Sequence, residues 1–293
     1  MLVYKTETRP FVWHERVFDT HRDTSILDKN TKRFVYEQKG GSMEFFDCNA
    51  FFGLPSIRPL TPVATAEDLL AEMDRAGVER ALVWHIAQHD GAPRVGNQLL
   101  SEAIAPHPRL VGCWTVLPNQ AREFPAPAEL FRQMKAARVV ALRVFPNAHK
   151  FLLNAVSMGE LLEAMVAQRV PLFVSVKRGL AWHDVYNLLA EFPDLVVVIC
   201  DHGCWGEDRM FRPLLERYPH VYVDMAQYLL DGGIEALVAD YGPGRMLFGS
   251  GFPESYFGGM MMALKHAQIS DDAKALIAHG NLERIIEEIL SAD

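Results

Sequence analysis

The chain has 293 residues, 49% of them hydrophobic and 23% charged, with a formal net charge of −8. So much apolar material excludes a disordered chain, and the acidic balance excludes a protein that grips nucleic acid, which needs concentrated basic charge. No run approaches the roughly 20 apolar residues that cross a bilayer, the first residues lack a secretory h-region, and four cysteines make no disulfide framework, so a reducing cytoplasm is expected.

Residues 1–42 carry eight Lys/Arg against six Asp/Glu, whereas the rest of the chain carries 21 against 31. The segment has no clean helical or strand period and closes in Lys39-Gly40-Gly41-Ser42, which is flexible-linker chemistry. It reads as an N-terminal arm or extension, with Phe11, Trp13 and Phe18 available to dock it. The domain proper is expected over 43–293.

From Met43 onward, short apolar runs alternate with amphipathic stretches. The runs are Glu44–Asn49, Arg80–His85, Arg109–Leu117, Val139–Phe145, Pro171–Val176, Val196–Asp201, His220–Asp224 and Arg245–Ser250. They are too short for helices and suit strands buried on both faces. Thr65 to Asp68 starts a helix that Gly77 ends, and Gly159–Gln168, His183–Glu191 and Arg209–Arg217 repeat the helical spacing. Gly or Pro punctuates the entry to several strands, as in His107-Pro108-Arg109 and Phe192-Pro193-Asp194. Eight strands with intervening helices over about 250 residues predict a (β/α)8 barrel. A doubly wound sheet competes, but no Gly-x-Gly-x-x-Gly follows the first strand.

In such a barrel the chemistry lies at the C-terminal ends of the strands. That rule selects Asp47, Asn49, His85, Arg143, Ser175, Lys177, Asp201, His202, Asp224 and the Ser250–Glu254 turn. His202, with Asp201 beside it, is the expected general base, because imidazole titrates near neutrality. Arg143 and Lys177 are two cations suited to a substrate carboxylate, unless they are internal partners of Asp201 or Glu254. Asn49 and Ser175 would orient a carbonyl or a water.

Several of these segments resemble one family. Phe46-Asp47-Cys48-Asn49-Ala50-Phe51 stands where amidohydrolase-superfamily barrels carry Asp-x-His-x-His. Val198-Ile199-Cys200-Asp201-His202-Gly203 is similar to their sixth-strand His segment. Leu247-Phe248-Gly249-Ser250-Gly251-Phe252-Pro253 resembles their Gly-Ser-Asp-x-Pro, and Gly280-Asn281-Leu282-Glu283-Arg284-Ile285 their Asn-led terminal helix. The resemblance implies a metal held by first-strand, fifth-strand and sixth-strand His and an eighth-strand Asp. Here Asn49 and Phe51 replace the His pair, Ser175 or Lys177 stands near the fifth-strand His, and Gly251 replaces the Asp. Zinc needs three or four converging N, O or S donors, so the inherited site is not expected to form. A replacement set of Cys48, His202 and Cys204 is the metal-binding alternative.

The resemblance then implies hydrolysis of a C–O or C–N bond, or decarboxylation, of a small polar substrate. A metal-independent, lactonase-like hydrolase is the concrete expectation. Its catalytic residues would be His202 and Asp201, and its substrate would be held by Asn49, His85, Arg143, Ser175, Lys177 and Glu254. No metal and no other cofactor is expected. The expected partner is a small molecule rather than nucleic acid or membrane, and homo-oligomerisation is left open. The competing reading is a catalytically silent barrel that binds a ligand or supports an assembly.

Overall fold

The computed structural model describes residues 43–57, 62–203 and 206–290. The arm expected over 1–42, and Cys204 of the alternative metal set, lie outside the described residues. Eight parallel strands run in sequence order around one sheet: β1 (Phe46–Phe52), β2 (Arg80–His85), β3 (Leu110–Thr115), β4 (Val139–Arg143), β5 (Leu172–Ser175), β6 (Val197–Cys200), β7 (Val221–Asp224) and β8 (Met246–Leu247). Backbone bonds from Cys48 to the Phe248 carbonyl (2.8 Å), Gly251 to Asn49 (3.0 Å) and Phe51 to Phe252 (3.0 Å) join the last strand's extension to the first. The result is a (β/α)8 barrel with helices between the strands.

Alternation along each strand divides two apolar layers. On β5, Leu172 and Val174 join the layer shared with the helices, while Phe173 belongs to the second layer with Cys48, Trp84, Ala141, Val198, Cys200 and Leu247. That second layer fills the barrel. Leu282 and Ile285 of the terminal helix Asn281–Leu290 pack into it beside Phe46 and Val196, near the strand starts, and so stop the N-terminal end.

The expected strands are all present, with two shifts. β1 runs to Phe52 because a bulge between Asp47 and Ala50 adds a residue and lets the strand continue past the polar Asn49. β8 has two ladder residues, because Phe248 bonds the Ile277 carbonyl (2.8 Å) and Ser250 bonds the Asp47 carboxylate (3.1 Å) instead. Thr65 caps its helix as expected, accepting from Asp68 N–H at 3.2 Å, and Gly77 ends it at φ 79°. The helices Pro93–Ile104, Pro127–Ala136 and Gly233–Tyr241 add to those expected.

One buried polar network ties the ends of β2 and β3 to their helices. Gln88 Nε2 donates to Asn97 Oδ1 (2.7 Å) and to the Cys113 carbonyl (3.0 Å), and Asn97 Nδ2 donates to the Thr115 carbonyl (2.8 Å). Gly96 makes room for this, since a Cβ there would stand 2.7 Å from Gln88 Cα. Gly96→Ala is expected to destabilise the fold by about 1–3 kcal/mol, the cost of overpacking a rigid site. Urea unfolding measures it, and a midpoint unchanged from the parent would contradict the packing argument.

Candidate active site

Five strand-end side chains that the sequence singles out meet inside the barrel mouth. Arg143, at the end of β4, donates from Nη2 to Asn49 Oδ1 at 2.9 Å. Asn49 Nδ2 in turn donates to Asp201 Oδ1 (2.9 Å) and to Asp224 Oδ2 (2.8 Å). Ser175 Oγ donates to Asp201 Oδ2 at 2.7 Å, and the Asp201 N–H donates to Asp224 Oδ1 at 3.0 Å. Every hydrogen-bonding atom of the Asn49 amide is therefore used, and it relays between one cation and two acids. The group is buried: Arg143 is 1% exposed, Asn49 3%, Ser175 2% and Asp224 0%. Asp224 closes β7 and completes the cluster as a second acid. Burial first, and the neighbouring Asp201 second, push its carboxyl well above the usual range, so a charge on Asp224 is costly and depends on nearby positive charge such as Arg143.

Asp47 does a different job. Its Oδ1 accepts from the N–H groups of Asn49 (2.8 Å) and Ser250 (3.1 Å), and its Oδ2 accepts from the Ser250 hydroxyl. The acid of the first-strand motif thus bonds the Ser of the eighth-strand motif and seals the barrel seam. Burial raises its pKa from 3.8 to about 6, against the lowering effect of these donors. The folded state then binds the proton more tightly than the unfolded chain. Asp47's contribution to stability is greatest below pH 3.8 and is lost as pH rises through about 6, by about 3 kcal/mol. Asp47→Asn should therefore flatten the fall in stability between pH 4 and 6.5. Equal slopes in parent and variant, by urea unfolding at each pH, would refute this.

Three expected residues, Lys177, Glu254 and His85, stand apart from the cluster. Lys177 Nζ pairs with Glu254 Oε2 at 2.8 Å, and Arg178 Nη2 takes the other oxygen of Glu254 at 2.9 Å. His85 lies at the rim, where its Nδ1 accepts from Ala87 N–H at 3.1 Å and its ring meets Phe52 edge-on. It borders a cavity of about 420 Å³ with Leu54, Ala64 and Asp90. Burial lowers its pKa, so the neutral ring carries its proton on Nε2.

His202 calls for a correction. Its Nδ1 faces the Gly203 carbonyl at 2.9 Å, its Nε2 faces the Asp224 carbonyl at 3.0 Å, and its ring packs on Phe211 and Tyr228. Phe211 and Tyr228 belong to the layer outside the barrel. A general base needs a lone pair directed at water, and carbonyl oxygens stand against both nitrogens. Asp201 explains the turn. It adopts φ 54°, in the left-handed region, so its own side chain enters the barrel and the next one leaves it. The alternative metal set of Cys48, His202 and Cys204 loses its imidazole for the same reason.

Among the described residues, the positions that carry the family's metal ligands also offer no fitting donors. Asn49 Oδ1 is turned to a guanidinium, Phe51 offers carbon, Ser175 spends its hydroxyl proton on Asp201, and Gly251 has no side chain. A Cβ on Gly251 would stand 3.5 Å from Asp201 Oδ1, so Asp201 fills that direction instead. Arg143 brings permanent positive charge against any divalent cation in this cluster.

Three groups were not legible from strand ends. Trp84 and Phe51 pack as a tilted pair, 4.6 Å between centroids and 36° between planes, and the Arg178 guanidinium carbon lies 4.7 Å from the first ring's centroid and 5.1 Å from the second's. Arg143 approaches the same indole at 5.2 Å. Arg143 Nε and Nη1, Trp84 Nε1 and Thr115 Oγ1 are buried without hydrogen-bond partners among the described residues, and Thr115 faces Arg143 in the β3–β4 register. Adjacency to Lys177 was the one available signal for Arg178.

Solved structures share this architecture at low identity, which speaks to the fold alone. A TIM-barrel protein of uncharacterised function from Bordetella bronchiseptica is 18% identical, with a TM-score of 0.64 over 84% of this chain and 99% of that one. A 2,6-dihydroxybenzoate decarboxylase from Rhizobium is 15% identical, with a TM-score of 0.67 over 84% and 99%. A 5-carboxyvanillate decarboxylase from Novosphingobium aromaticivorans, complexed with manganese and 4-hydroxy-3-methoxy-5-nitrobenzoic acid, is 14% identical, with a TM-score of 0.66 over 85% and 97%. Comparison with curated proteins gave no match. The sequence model of the amidohydrolase family matches residues 51–286, well over half of the chain. With eight parallel strands in order, an acid of the first-strand motif bonded to the serine of the eighth-strand motif, and that match along the barrel, the chain belongs to the amidohydrolase family.

Proposed function

We propose that this protein acts on a small carboxylate-bearing substrate by metal-independent hydrolysis of a lactone or amide bond. The observation that carries the reading is the Asp201 carboxylate, held by Ser175 and Asn49 and linked through Asn49 to buried Arg143, in the part of the barrel where the family resemblance places metal ligands. Asp201 takes a proton from water as the water oxygen attacks the carbonyl carbon. The developing oxyanion is stabilised by positive charge, for which Arg143 has two unpartnered N–H positions. Collapse breaks the C–O or C–N bond, and the leaving group takes up a proton. Two of the solved relatives are named for reactions on carboxylated aromatic rings, which supports an acid as substrate. The buried, unpaired thiols of Cys48, Cys113 and Cys200 support a cytoplasmic setting.

A panel of carboxylated lactones, amides and aromatic acids tests the reading, with product analysis in the presence and absence of a chelator. Ring opening that survives chelation is the expected result. Chelator-sensitive turnover would overturn metal independence, and release of carbon dioxide from an aromatic acid would replace hydrolysis by decarboxylation. A second reading, ligand binding without turnover, draws support from the closed hydrogen bonding of the Asn49 cluster. It expects binding of acids and no product from any member of the panel.

A further inference from the structure

The Arg178 guanidinium lies against two aromatic rings, and cation–aromatic contact of this kind fixes a planar group in place. Such contact uses the faces of the guanidinium and leaves the N–H edge for a carboxylate. In the structure that edge holds Glu254 Oε1, while Glu254 Oε2 holds Lys177. Two cations therefore share one carboxylate, which leaves one unit of positive charge unbalanced within the trio. Glu254 rides on the turn after β8, closed by bonds from Glu254 N–H (3.0 Å) and Ser255 N–H (3.1 Å) to the Gly251 carbonyl. Arg178 is 12% exposed and Glu254 33%, so the pair lies nearer solvent than the Asn49 cluster. The indole that supports Arg178 also stands against Arg143, whose Nε and Nη1 have no hydrogen-bond partner among the described residues.

We propose that Arg178 is the residue that receives the substrate's carboxylate, and that Glu254 is its built-in surrogate, displaced from Arg178 when an acid binds while remaining paired to Lys177. This deepens the functional reading above and rests on it for the nature of the substrate. It gives Lys177 a holding role for Glu254 in place of direct substrate contact, and it sets selectivity for acids over neutral analogues at the rim rather than at Asp201.

Calorimetric titration of the full chain with benzoate and benzene-1,3-dicarboxylate, and with the neutral benzamide as control, tests the assignment. Arg178→Met should weaken binding of the acids by about tenfold or more, as expected for loss of a charge-assisted pair. Arg178→Lys should weaken it less, because charge is kept and the planar fork is lost. Glu254→Gln should tighten it several-fold by removing the competitor, and this variant keeps the idea testable if the Arg178 variants fold poorly. Acid binding unchanged in Arg178→Met, or weakened in Glu254→Gln, overturns the proposal. If that happens while lactone turnover persists, the functional reading stands without it. If the parent binds neither acid, the carboxylate reading falls as well, and the proposal with it.

Discussion

Arg143→Met is expected to cost about 3–5 kcal/mol of folding stability, the usual penalty for removing one member of a buried charge constellation. The guanidinium is 1% exposed and reaches Asp201 and Asp224 through the Asn49 amide. Without it, Asn49 Oδ1 loses its donor and the two acids lose their nearby buried cation. Methionine fills much of the volume, so the loss is electrostatic rather than a cavity. Adding Asp224→Asn should recover part of the stability, because one of the uncompensated acids goes with it. Urea unfolding of the two single variants and the double variant closes a thermodynamic cycle. Additive effects would show that Arg143 and Asp224 are not coupled.

The second large effect concerns turnover. Asp201→Asn should lower kcat by about a hundredfold or more, the scale of general-base catalysis, in a variant that still folds. Asparagine is the mildest replacement because it tolerates φ 54° nearly as well as aspartate and keeps an oxygen for the Ser175 hydroxyl. His202→Asn is expected to do the opposite, lowering the melting temperature while leaving kcat near that of the parent. The ring it removes packs between β6 and β7 on Phe211 and Tyr228 and lends its nitrogens to two carbonyls. Full turnover in Asp201→Asn, together with its loss in a folded His202→Asn, would return the base to the imidazole.

The contrast between these two neighbours shows where sequence reasoning ran out. Buried parallel strands read as unbroken apolar runs, so the eight strands and their order were legible. The strand-end rule also selected Asn49, Arg143 and Ser175, and alternation along β4 and β5 turns Arg143 and Ser175 inward with Ala141 and Phe173. Alternation holds only while the ladder lasts. At Asp201 the backbone enters the left-handed region, and the next side chain leaves the barrel, which nothing in Cys200-Asp201-His202-Gly203 announces. After Ser175 the chain turns, with Arg178 N–H on the Ser175 carbonyl (3.3 Å) and Gly179 N–H on the Val176 carbonyl (3.2 Å), so counting by two stops being valid at Lys177. The Arg143–Asn49–Asp224 relay joins residues 94 and 175 positions apart. Such pairings depend on how strands close around the barrel and leave no local trace.

The Asn49 relay also bears on whether a metal site could be built into this barrel. Asn49→His, Phe51→His, Ser175→His and Gly251→Asp would restore the ligand types that the family resemblance implies, yet none is expected to help alone. A histidine at 49 would break the bridge from Arg143 to both acids, and an aspartate at 251 would enter the left-handed backbone (φ 70°) beside the Asp201 carboxylate. Each substitution meets groups that depend on its absence, so the order of substitution matters and Arg143 has to go early. The barrel is therefore expected to accept such ligands only once Arg143 is replaced, so each single substitution should lower stability without creating a metal site.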